Sequence, residues 1–239
     1  TGATWNGWEP RGIVASNWMD LTYSKYFKSI VIHNGDPMDN NTYNAGFGAY
    51  ISGYPDLIVD RSSNLGVSVP ISGTNLENEF LQRITTPPSA LISKTAQLSN
   101  NMLQVDVSLD FQTYISGNWK VACAIVEDSV TGTSSGYNQS NYYSGGSNGS
   151  LIDVDSLDWA NKSNPVAASQ MIYRNVARDI KPSFDGGSLP SYAYSAGSLD
   201  TVSLIFVLNP AWDTSQISIV AMLINSSGRI DNASSSLIS

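Results

Sequence analysis

The residues best equipped for chemistry stand at the start of the chain, in Thr4-Trp5-Asn6-Gly7-Trp8-Glu9-Pro10-Arg11-Gly12. Gly7 permits a tight turn. Pro10 suits a first helical turn, where its missing N–H would have no partner in any case. A turn that brings two side chains, three positions apart, to a helix N-terminus is a place where paired thiols exchange disulfides, because the helix end lowers the pKa of one of them. In this chain the two positions are Asn6 and Glu9, and neither side chain can exchange a disulfide. Trp5, Asn6, Gly7, Trp8, Glu9 and Pro10 therefore read as a degenerate redox turn without a catalytic residue, with Glu9 complementing the positive helix end.

Other candidates are thinner. His33 is the single histidine, and zinc normally takes three or four well-spaced ligands, so a hydrogen-bonded histidine at a strand end is expected. Calcium would suit the oxygen-rich loops better: Asp36 and Asp39 with Asn40 and Asn41, or Asp153 and Asp155 with Asp158. Calcium takes six to eight oxygens, but neither loop has EF-hand spacing, and solvated carboxylates are the plainer expectation. Tyr137, Tyr142 and Tyr143 lie among Asn138, Gln139 and Asn141 in a polar tract. Aromatics beside amides form binding surfaces for sugars or proteins; a loop tucking its tyrosines inward would explain them equally. Cys123 alternates with apolar neighbours and reads as a small buried hydrophobe. There is no Gly-rich phosphate fingerprint and no nucleophile elbow.

Composition narrows the class. Only 13% of the 239 residues are charged, about half the usual ~25%, with Ser, Asn, Gly and Thr in their place, as is common in exported proteins. The net charge of −8 argues against nucleic acid, which needs clustered Lys and Arg. With one cysteine, no intrachain disulfide can form. No apolar run approaches the ~20 residues of a membrane span, so no span is expected. The chain opens at Thr1 without a leader and reads as a mature or trimmed form.

These side chains must be positioned by two kinds of element. Val14, Trp18 and Leu21 make an apolar stripe over 10–27, continued near Tyr26 and predicting a helix. Ile30-Val31-Ile32 and Leu57-Ile58-Val59 read as buried strands. A short helix is expected over 43–51. Gly53-Tyr54-Pro55 stands before the second strand, with Pro55 expected cis and near Trp5 and Gly7. Thr74-Asn75-Leu76-Glu77 is a capping box opening a helix to about Ile84. The order helix, strand, helix, strand, helix matches a thioredoxin-like domain. After Thr86-Pro87-Pro88-Ser89 the period changes to two: Leu103, Val105, Val107, Leu109 and Phe111 alternate with polar residues, and Trp119, Val121, Cys123 and Ile125 continue the pattern. Thr201–Leu208 and 217–223 add further strands, which together predict a β-sandwich. Residues 131–150 are too polar for a core element and are expected to form a long surface loop.

The same order resembles the family of twenty-eight-kilodalton outer membrane proteins of Bacteroidetes-type bacteria. The matching segments are Thr1-Gly2, Trp5-x-Gly7-Trp8-x-Pro10-Arg11-Gly12, Ile32-His33-Asn34-Gly35-Asp36-Pro37-Met38, Tyr43-Asn44-Ala45, Gly53-Tyr54-Pro55 and Val59-Asp60-Arg61. Val126-Glu127-Asp128 and Val176-Ala177-Arg178 match more weakly. The resemblance implies an α+β two-domain chain: a thioredoxin-like α/β domain (1–86) lacking its first strand, then an all-β immunoglobulin-like sandwich (87–239). It implies export to the outer membrane or the extracellular surface of a Gram-negative bacterium; many members look like passengers of type IX secretion. The chain departs from the family where Cys-Gly-Trp-Cys is Asn6-Gly7-Trp8-Glu9, and where Asn-His is Arg174-Asn175. The leading expectation is a non-catalytic surface or secreted pseudo-enzyme, a scaffold binding a protein, a glycan or another copy of itself, with no cofactor required. The alternative is a thiol-disulfide oxidoreductase or isomerase whose cysteines are replaced here by Asn6 and Glu9. A carbohydrate-active hydrolase would need two convergent carboxylates, which the sequence alone does not pair.

Overall fold

A computed structural model describes residues 1–62, 66–67 and 74–238. The fold is α+β, with mostly antiparallel sheets. The chain divides into two compact units, one of 1–85 with 129–176 and one of 86–128 with 177–239. One crossing thus falls next to Pro87-Pro88, as composition suggested. The continuous 87–239 domain is corrected, because 129–176 leaves the sandwich and folds with the N-terminal residues.

In the first unit, α1 (Glu9–Thr22) begins as Pro10 requires, with Asn6 Oδ1 accepting from the Trp8 N–H at 3.0 Å. Its buried face is Val14, Ala15 and Met19 rather than the expected stripe: Trp18 is half-buried, and Leu21 and Tyr26 are exposed. Helix α2 is Asn41–Phe47, capped by Asn40, whose side chain accepts from the Tyr43 N–H at 2.9 Å. Helix α3 is Asn75–Ile84, and Thr74 caps it by accepting from the Glu77 N–H. The Glu77 carboxylate also accepts from Tyr23 O–H at 2.5 Å. Ala15, Met19, Val59, Leu76 and Phe80 form the core that joins α1 to α3.

The two short runs expected as strands do not form ladders. Val31 makes a single parallel bridge to Val176, and His33 another to Gly2, while 57–59 carries no strand pairing among the described residues. The backbone there is held by isolated bridges and side-chain acceptors. Asn175, with φ of +52°, sits at the bridge; its Nδ2 donates to Asp20 and to Ser29, and its Oδ1 accepts from Lys28.

The second unit follows the period-two pattern closely. Strands β1 (Ala90–Ser99), β2 (Met102–Phe111), β3 (Ile115–Ser116), β4 (Lys120–Glu127), β5 (Val176–Lys181), β6 (Gly187–Ser188), β7 (Ala193–Tyr194), β8 (Leu199–Val207), β9 (Ile217–Ile224) and β10 (Ile230–Leu237) make three sheets: β1-β2-β8, β10-β9-β4-β5 with β6 on β4, and the pair β3-β7. Leu103, Val105, Val107, Leu109 and Phe111 of β2 meet Val121, Cys123 and Ile125 of β4 and Ile217, Ile219, Ala221 and Leu223 of β9 in one core. The sheets β1-β2-β8 and β10-β9-β4-β5 thus share one apolar interior. Residues 121–126 of β4 and all of β9 are buried on both faces, so here a continuous apolar run outranks simple alternation. Burial pushes the Cys123 thiol up to about 12, as befits an inert core residue. Two charged side chains are paired in this unit: Arg178 Nε donates to Glu127 Oε2 at 2.7 Å, while Glu127 Oε1 accepts from the Asp213 N–H at 2.8 Å.

Candidate functional site

The degenerate turn is wrapped by the polar tract expected on the surface. Gln139 is fully buried, and its Nε2 lies 3.0–3.3 Å from the carbonyl oxygens of Ala3, Thr4, Asn6 and Ser140. The Ser140 N–H donates to Thr4 O at 2.8 Å, and the Tyr142 N–H to Gly7 O at 2.9 Å. Asn141 is buried as well: its Nδ2 donates to Trp159 O at 2.9 Å, and its Oδ1 accepts from the Tyr143 N–H at 3.0 Å. Amide side chains satisfy the carbonyls of irregular backbone that has no ladder, so Gln139 and Asn141 act as interior struts of a loop that is otherwise largely exposed, 145–150 entirely so.

The three loop tyrosines separate. Tyr143 is buried and Tyr137 half-buried, both packed with Trp8, Val14, Met38, Trp159 and Tyr173. For these two the inward-tucked alternative holds rather than the exposed binding surface. Tyr142 alone is open, at 50% exposure, with its ring edge-on to Trp8 at 5.5 Å. A side-chain carbon on Gly7 would lie 2.3 Å from the Tyr142 ring, so this contact requires glycine there. On the other side of the turn Trp5 is 52% exposed; its Nε1 donates to Asn34 O at 2.7 Å and its ring meets Tyr54 at 5.3 Å. The Tyr54–Pro55 bond is cis, and a Cβ on Gly12 would come within 2.9 Å of Pro55 Cβ. Gly53 is exposed, with open space about it. The turn and the Gly53-Tyr54-Pro55 loop are therefore neighbours. Arg11 lies over the Trp8 ring at 4.8 Å.

Glu9 does not stand as the charged helix-end carboxylate that its position suggests. It is buried, at 2% exposure. Burial pushes its carboxyl up to about 8, opposed by the Thr1 amino group and reinforced by Asp36. A buried carboxyl without an ion pair keeps its proton because desolvation penalises the charged form. At neutral pH the helix end thus faces a carboxylic acid rather than an anion.

The aspartates form no common site. Asp36 accepts from the Thr4 and Met38 N–H groups and pairs with His33 Nδ1 at 2.7 Å, which is the satisfied histidine the sequence suggested. Asp39 accepts from the Gly35 N–H, Asp153 from Asn17 and the Val154 N–H, and Asp155 from the Leu157 N–H. Among the described residues, no three His, Cys, Asp or Glu side chains are grouped to hold a metal. Asp36, Asp39, Asp153 and Asp155 each accept from a nearby backbone N–H, as in Asx turns. Among the described residues, no helix is long and apolar enough to cross a membrane.

No protein-family model matches this chain, and no curated protein matches it. Among solved structures, the chain is similar to the E. coli curli protein CsgC at 8% identity, over 62% of this chain and 96% of that one, with a TM-score of 0.24. A likeness that loose does not define a shared fold.

Proposed function

We propose that this is a non-catalytic exported protein whose N-terminal unit is a thioredoxin-like scaffold that presents an aromatic binding surface, joined to an immunoglobulin-like sandwich. The observation that carries it is the placement of exposed Trp5 and Tyr142 on either side of the thiol-free turn, each locked by a hydrogen bond and an edge-on ring. Rigid aromatic side chains give contact area at low entropic cost and suit sugar faces or protein backbone. The partner class is a protein or glycan at the cell surface, and the location is the outer membrane or extracellular face of a Gram-negative bacterium. The family resemblance and the hydroxyl- and amide-rich composition support that location. The test is attachment to glycan arrays and to intact cells. Trp5→Ala with Tyr142→Ala should reduce attachment at least tenfold while the folded spectrum is retained; unchanged attachment rejects this surface.

A second reading, an oxidoreductase with its cysteines replaced, is favoured by the closeness of Pro55 to α1, where a Cβ on Gly12 would come within 2.9 Å of Pro55 Cβ. The Glu9 N–H donates to Asn6 O at 3.1 Å. That is a β-turn closure, which holds the two Cα atoms within ~7 Å, close to disulfide range. Asn6→Cys with Glu9→Cys should form a disulfide and gain insulin-reduction activity if the scaffold is a redox one. A stable dithiol without activity leaves the binding reading alone.

A further inference from the structure

Strand β8 is an edge of the sheet β1-β2-β8, with β2 on one side and no strand on the other among the described residues. The Leu208 N–H donates to Asn101 O at 2.8 Å, and Ser198 O accepts from the Phe111 N–H at 3.0 Å. Bonds along an antiparallel ladder recur at every second residue, so the even positions of β8 bond β2. The N–H and C=O groups of Leu199, Thr201, Ser203, Ile205 and Val207 therefore point away from the sheet. Among the described residues, only the Thr201 N–H of this row has a partner, Asp200 Oδ1 at 2.8 Å. All five residues are exposed.

An open row of backbone groups is a template for another strand, and edges are ordinarily blunted by charge, proline or a bulge. The other long edge strands show such devices. Strand β1 carries Lys94; β5 carries Arg178, Asp179 and Lys181 and runs into Pro182; β10 has a register shift between Ile230 and Asn232. Strand β8 has no Lys, Arg or Pro, and its one charge is Asp200.

The row is also complementary to itself. Two β8 edges set antiparallel about a two-fold axis at Ser203 use every outward-pointing position: Ser203 meets Ser203, Thr201 meets Ile205, and Leu199 meets Val207. Apolar ends then pack on apolar ends, and each Asp200 falls opposite Phe206, far from the other Asp200. Sliding one strand by two residues sets Val207 against Gly197, or Leu199 against Asn209, and forfeits an apolar pair.

We propose that this edge is a self-association surface, where β8 of one copy pairs antiparallel with β8 of a second, centred on Ser203, and joins two three-stranded sheets into one. The surface belongs to β8 and does not rest on the aromatic residues around the thiol-free turn.

Cysteine crosslinking of the full chain tests the pairing and its register. Opposed residues of a hydrogen-bonded antiparallel pair lie about 5.5 Å apart between Cα atoms, within disulfide reach, and the native Cys123 is buried. Under mild oxidation Ser203→Cys should form a disulfide-linked dimer at least tenfold faster than Thr201→Cys, whose two copies would stand roughly 14 Å apart at ~3.4 Å per residue. Thr201→Cys mixed with Ile205→Cys should crosslink as Ser203→Cys does. Equal rates for Ser203→Cys and Thr201→Cys alone overturn the proposal. Ser203→Pro removes an N–H that faces away from β2, a place where an edge strand tolerates proline, and should shift the sedimenting species from dimer to monomer; a dimer that survives this change overturns the proposal. Should these variants not fold, the wild-type chain decides. Its Leu199, Ser203, Ile205 and Val207 amides should exchange more slowly as protein concentration rises, and exchange that is independent of concentration overturns the pairing.

Discussion

Within residues 86–128 and 177–239, backbone groups pair with one another along long antiparallel ladders, and Phe111, Phe206, Ile125 and Leu223 fill an apolar interior. Among the described residues of 1–85 with 129–176, single bridges stand in place of ladders, and the side chains of Gln139, Asn141, Asp36, Asp56 and Asp158 take up backbone groups. The contrast shows two ways to satisfy the same obligation that every buried N–H and C=O be paired. A ladder depends on pattern and tolerates many side chains. A strut of amides and carboxylates depends on particular residues, and on their protonation.

The two units should differ most in their response to pH. Glu9 keeps its proton in the folded unit up to about pH 8, whereas the unfolded chain releases it near 4.5. Folding therefore takes up a proton across that window: the stability is fully present below 4.5 and is lost as pH rises toward 8. Glu9→Gln removes the penalty. We expect no change near pH 4 and a gain approaching ~5 kcal/mol at pH 8, because each tenfold change in an acid's ionisation constant between the unfolded and folded chain is worth ~1.4 kcal/mol. Urea melts at both pH values measure it; equal gains at the two would mean that Glu9 is not the titrating group.

The sandwich should respond to volume and hardly to pH. Phe206→Ala empties a fully buried position and should cost ~3–5 kcal/mol, by the same amount at pH 4 and pH 8. A pH-dependent loss there would blur the distinction between the units. Smaller again is Asn141→Ala. It leaves the Tyr143 N–H without its acceptor and takes from Trp159 O one of two donors, the other being the Lys162 N–H, and should cost ~1–3 kcal/mol, seen as faster hydrogen exchange confined to 137–166. Exchange that accelerates equally across β1–β10 would show that the strut is not local to its unit.

Much of the sandwich was legible because alternation is a local property: Leu103 through Phe111 must point the same way whatever surrounds them. The capping of α3 by Thr74 and the turn at Gly7 were legible for the same reason. The candidate site was legible only in its covalent part, from Trp5 to Pro10 and from Gly53 to Pro55. Tyr142 stood in the right tract, but nothing local separated it from Tyr143, which faces the opposite environment. Sequence by itself determined which positions lack thiols, where the helix begins and where period two sets in. Only the tertiary structure decided that Glu9 is buried, that 129–176 folds back onto the N-terminal turn, and that Gln139 donates to the carbonyls of Ala3, Thr4 and Asn6. Burial of a polar side chain depends on which distant carbonyls need a donor, and in this chain those carbonyls lie more than 130 residues away.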